Sequence, residues 1–150
     1  MAADPGYEGA PIRAGRVVFA AGVFDFADDE DEDAVAAFVA IARDERGITS
    51  DAVAFDAAGR VACSLKREAL LGAQRVITPR LGEPLHIFPT VLEWLASDRR
   101  GVVVLDWRLA AGQLAGVSLK TTTVEFGRLL RERLARPAPP IFIEQSEAAA

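Results

Sequence analysis

Asp106 and His86 are the residues best suited by type and setting to acid–base chemistry. Asp106 closes the run Gly101-Val-Val-Val-Leu-Asp106, and sites on mixed sheets gather at the carboxyl ends of such strands. His86 stands in Leu85-His-Ile-Phe88, and its ordinary pKa near neutrality suits a general base if the two strands are neighbours. A strand-ending Asp also commonly caps the following turn, and a lone strand His commonly packs, so both readings stay open. Asp25 and Asp56, near the ends of other apolar runs, carry the same pair of readings.

Charge offers two further candidates. Asp28, Asp29, Glu30, Asp31, Glu32 and Asp33 place six carboxylates in consecutive positions. Asp29, Asp31 and Asp33 alternate as in a calcium loop, but Ala34 and Ala40 occupy the positions that need Gly and Glu. The run therefore reads as a solvated acidic loop, with a basic protein partner as its functional counterpart. Taking those six charges from the formal net charge of −5 leaves +1 for the rest of the chain, whose cations are 15 Arg and only Lys66 and Lys120. Arg99, Arg100, Arg128 and Arg131, with Arg108, Arg133 and Arg136, would give a phosphate-binding surface for nucleic acid if they gathered on one side. Paired instead with Glu93, Glu125 and Glu132, they would only complement helix ends.

Many other chemistries lack their parts. One Cys and one His cannot build a His/Cys zinc site, and no disulfide can form within the chain. Neither nucleotide-binding glycine fingerprint occurs, and Gly116-Val-Ser118-Leu-Lys120 lacks the second glycine of a serine nucleophile elbow. Lys66 and Lys120 each follow a Ser by two positions, where many metal nucleases have an acid. No cofactor or metal is implied. No apolar run approaches the ~20 residues of a membrane span, and Met1-Ala2-Ala3-Asp4-Pro5-Gly6 has no signal-peptide character. With Cys63 as a buried reduced thiol, the expected setting is the cytoplasm.

The elements that would position these residues follow from pattern. At 150 residues the chain is the size of one domain. Residues 1–14 read as a flexible leader, 15–143 as one domain and 144–150 as a flexible tail. Arg16–Phe26 reads as a strand with a bend at Gly22. Residues 34–42 fit either a helix or a strand, and the flanking turns favour the strand. With Asp51–Asp56 and Arg60–Leu65, linked by Gly-containing turns, this describes a β-meander. Leu85–Phe88 and Gly101–Leu105 are short strands, Leu109–Leu114 is about one helical turn, and Ile141-Phe-Ile143 is a final edge strand. Thr90-Val-Leu-Glu93 and Thr122-Thr-Val-Glu125 have the form of capping boxes, each opening a helix. The expected fold is α+β: an N-terminal antiparallel β-meander in a single layer of sheet, packed with two C-terminal helices.

The stretch Leu85-His-Ile-Phe-Pro-Thr-Val-Leu-Glu-Trp-Leu, followed by Asp98-Arg-Arg-Gly-Val-Val-Val-Leu-Asp106-Trp, resembles an uncharacterised bacterial family found among plasmid and mobile-element genes. Asp51-Ala-Val-Ala-Phe-Asp, the Leu70-Leu71-Gly72 turn and Gly127-Arg-Leu-Leu-Arg are similar to it as well. The resemblance implies one intact domain over about residues 15–143 and transfers no catalytic residue. The resulting expectation is a non-catalytic accessory or protein-interaction module, with nucleic-acid association and an enzyme centred on Asp106 and His86 as the alternatives.

Overall fold

A computed structural model describes residues 12–77 and 82–135. It opens with β1 (Arg13–Ala20), β2 (Val23–Phe26), β3 (Val35–Arg43), β4 (Thr49–Phe55) and β5 (Val61–Cys63). Ala21 and Gly22 have φ of 51° and 77°, the left-handed pair that a type I′ hairpin turn needs. The expected continuous strand over 16–26 is therefore a hairpin, with Ala20 opposite Val23. β1 begins at Arg13, so residues 13 and 14 are strand instead of leader. Residues 34–42 resolve as a strand, shifted by one position to 35–43.

These strands do not form the expected single layer. β1 pairs with both β2 and β3, and a parallel bridge between Val23 and Cys63 joins β2 to β5, closing a five-stranded barrel. Small residues make so narrow a closure possible. Ala37, Ala54 and Ala62 line the interior with Val17, Phe24 and Val39, so the curled walls meet without clashing. Alternation sends Ala40, Ala42, Val53, Phe55 and Cys63 to the outer wall, where they form the junction with the second half.

That half is a second sheet, in the order β6 (Leu70–Leu71), β8 (Val102–Val104), β7 (Leu85–Phe88), β9 (Leu119–Lys120). β6 runs antiparallel to β8, while β7 runs parallel to both β8 and β9. Leu70-Leu71, expected as part of a turn, is thus strand, with the turn following at Gly72. Leu71, Phe88 and Val103 face the barrel and α2 (Val91–Ala96). Leu70, Ile87 and Val102 face the opposite way, against α3 (Trp107–Gln113) and α4 (Val124–Leu134). The α+β class holds, but the described residues form two sheets and four helices, of which α1 (Gln74–Ile77) is the shortest.

Capping sets the helix starts. Thr90 accepts from the Glu93 amide at 3.2 Å and begins α2 as expected. Thr123, one residue later than expected, accepts from Phe126 and begins α4. Between α2 and β8 the chain is packed to contact: the Trp94 indole donates to the Gly101 carbonyl at 2.9 Å. A Cβ on Gly101 would fall on the His86 carbonyl, and one on Gly72 would come within 2.5 Å of the Gly101 carbonyl. Among the described residues no helix is long and apolar enough to cross a membrane. The proposed strand at 141–143, the tail, and residues 1–11 lie outside the described residues.

Candidate functional site

Asp106 sits two residues beyond the end of β8, and one of its oxygens, Oδ1, is committed to α3. It accepts from the amides of Arg108 at 2.9 Å and Leu109 at 3.2 Å, so the capping role is the one realised. His86 stacks on Phe88 with ring centroids 4.0 Å apart, and its Nε2 is sealed from solvent with no hydrogen-bond partner among the described residues. Burial, then the charge of Lys120 opposite it, hold its pKa below the usual range, against the pull of Glu93.

The two candidates do not meet. Register pairs Ile87 with Val102, so His86 lies level with Gly101 and Asp106 stands five positions further along. At about 3.3 Å per residue the extended part, as far as Val104, already spans roughly 10 Å, beyond one hydrogen bond or one bridging water. Asp25 is exposed on β2 opposite Val18. Asp56 is occupied by the turn after β4, accepting from the Arg60 amide at 2.8 Å and its guanidinium at 2.6 Å. Burial alone would raise its pKa; the Arg60 bonds and charge, with the Ala58 amide, override that and lower it. Arg60 also covers the Phe19 ring at 5.1 Å.

The Arg candidates divide. Arg99 lies over the Trp94 ring at 5.8 Å and Arg100 pairs with Asp98, both just beyond the end of α2. Arg128 and Arg131 are exposed on α4. The two pairs thus stand on elements that pack against opposite faces of the second sheet.

The acidic loop joins β2 to β3 at one end of the barrel. Asp31 alone turns its carboxylate inward, accepting from the Asp28 amide at 2.7 Å, while Arg16 donates to its carbonyl. No hydrogen bond or ion pair among the described residues engages the carboxylates of Asp28, Asp29, Glu30, Glu32 or Asp33. At the root of the loop Phe26 is 67% exposed. Its ring meets Phe24 edge-on at 5.6 Å, so it stands at the mouth of the barrel as an outward continuation of the apolar interior.

Sequence reasoning missed a second acidic group. Asp51, at 6% exposure, takes the amides of Ala52, Leu65 and Arg67 at 2.8–2.9 Å and so fastens the 64–68 segment that leads from the barrel to the second sheet. Glu68, at 8%, accepts from the Ser50 hydroxyl at 2.6 Å. Burial, then Asp51, Glu68 and Asp106, push the Cys63 thiol up to about 11, against the pull of Lys66. At neutral pH that thiol is protonated and a poor nucleophile. The available signal was Asp51 at the head of an apolar strand, a place where a carboxylate needs donors.

Compared with protein-family models, curated proteins and solved structures, the chain matches none.

Proposed function

We propose that the protein is a non-catalytic interaction module of the cytoplasm, serving an accessory role in mobile-element biology. Its working surface is the end of the barrel formed by Phe26 and the 28–33 loop, and its partner is a basic protein. The observation that carries this reading is the juxtaposition of a two-thirds exposed Phe26 with five carboxylates that nothing within the described residues engages. An exposed aromatic supplies the apolar anchor that interface hot spots favour. The surrounding charge supplies orientation and rapid encounter with a cationic surface. The divided arginines and the committed Asp106 lend no comparable support to the nucleic-acid or enzymatic alternatives.

The test is affinity capture from a host extract by the full chain, by a variant with residues 28–33 changed to Ser and Gly, and by Phe26→Ser. The reading expects a basic protein that is released by salt and lost from both variants. Capture that is unchanged in the loop variant overturns it.

A further inference from the structure

The second sheet is open along β9. In the order β6, β8, β7, β9, the strand Leu119–Lys120 has β7 as its only neighbour among the described residues. Leu85 donates its amide to the Ser118 carbonyl at 2.7 Å. In a parallel ladder this phase turns the amide and carbonyl of Leu119 away from β7, and no hydrogen bond among the described residues meets them there. The apolar layer is open at the same place: Leu119, with Phe126 and Leu134 of α4, is only partly buried.

The path of the chain decides which segment reaches that edge. From β7 it crosses to β8 through α2, which packs with Leu71, Phe88 and Val103 on the barrel side of the sheet. From β8 it crosses to β9 in the opposite direction through α3, which packs with Leu70, Ile87 and Val102 on the other side. Reversing both direction and side keeps one hand, and crossovers between parallel strands are right-handed in about 98% of cases. α4 lies on the side of α3, and its eleven residues carry the chain back about 16 Å from the carboxyl end of β9. A parallel strand that follows α4 with the same hand therefore steps outward, past β9. We propose that the open edge of β9 is a docking site for a parallel strand, and that its occupant is Ile141-Phe-Ile143 of the same chain.

The run suits the edge chemically. Pro137, Pro139 and Pro140 precede it and none interrupts it, so each of its residues keeps an amide to donate. Isoleucine and phenylalanine favour strands, and alternation gives Ile141 and Ile143 a common side, the apolar cover that Leu119, Phe126 and Leu134 lack. The five residues 136–140 reach up to about 17 Å, enough to return from a packed helix to the sheet. A strand on so short a tether has an effective concentration on the order of millimolar, so it prevails over an untethered strand of similar sequence. The inference does not rest on the Phe26 surface.

The test is amide hydrogen exchange with NMR on the full chain. The amides of Leu119 and of residues 141–143 are expected to exchange at least ~tenfold more slowly than exposed peptide, with cross-strand contacts between 141–143 and 118–120. Two variants follow: Phe142→Pro, which has no place inside the ladder, and Ile141→Ser with Ile143→Ser, which keeps every backbone donor. Each is expected to speed exchange at Leu119 by at least ~tenfold while Ala54, buried in the barrel, keeps its protection. A mixture of isotope-labelled and unlabelled chains tells contacts within one chain, which support the proposal, from contacts between chains. Contacts seen only between chains give the edge to a second copy and overturn it. Exchange of 141–143 at the exposed rate, contacts of that run with β6 instead of β9, or unchanged protection of Leu119 in both variants would each overturn it too.

Discussion

Replacing Asp51 by Ala removes three acceptor bonds at once. The bond to its neighbour Ala52 is local, but those to Leu65 and Arg67 cross 14 and 16 positions and hold the segment that joins the barrel to the second sheet. A hydrogen bond to a charged group contributes about 1.5–3 kcal/mol net, and a buried amide left without a partner costs a similar amount. Counting only the two distant bonds, and allowing for relaxation of the segment, Asp51→Ala should lose on the order of 3 kcal/mol. With a urea m-value near the middle of the usual range, about 2 kcal/mol/M, the midpoint should fall by roughly 1.5 M at unchanged slope. Asp51→Asn keeps one acceptor and should fall between the two. Amide exchange supplies the local readout: Leu65 and Arg67 should lose protection before the barrel strands do. A loss below about 0.5 kcal/mol in the Ala variant, the scale of an ordinary surface substitution, would refute the latch.

Three further outcomes follow from the packing and charge. Gly101→Ala drives a methyl into the β7 backbone at His86 and should cost about 3 kcal/mol or prevent folding, as overpacking against backbone does; thermal unfolding measures it. Asp106→Ala removes the acceptor for two α3 amides and should cost about 1 kcal/mol, with Asp106→Asn nearly neutral, by denaturant melts. His86 is the sole histidine and its folded pKa is depressed, so folding disfavours its charged form. Its stabilising contribution is complete above the unfolded value of about 6.5 and is lost as pH falls through the folded value. Melting curves between pH 7.5 and 5 should therefore fall more steeply for the wild type than for His86→Gln, and parallel curves would contradict this.

Local signals in the sequence were faithful where the physics is local. Thr90 before Val-Leu-Glu, the Val run after Gly101 and the apolar stripe of Phe126, Leu130 and Leu134 each announce an element whose bonds lie within a few residues. The strand at 35–43 was legible only through its flanking turns, since its own pattern fitted a helix as well; its Ala37 and Val39 turn inward. Closure of the barrel was not legible. It depends on Val23 meeting Cys63 and on β1 accepting a partner along each edge, and strand periodicity says nothing about which edges meet. β6 and β9, two residues each, exist only through their neighbours. The acidic loop could be seen in the chain, whereas the placement of Asp51, Glu68 and Asp106 around Cys63 could not, because it depends on how distant segments pack.

The parallel bridge from Val23 to Cys63 also sets an order of events in time. β1 and β2 are joined by a two-residue turn and can pair early, but the last seam brings together residues 40 positions apart. Closing such a loop costs roughly 2 kcal/mol more in chain entropy than closing one a tenth as long, so the seam forms only after β3 and β4 have shortened the path. Until then β2 and β5 each offer a bare edge to any other chain. In the finished barrel Val23 and Cys63 close that seam, so exposure to edge pairing is greatest in the interval before Cys63 arrives.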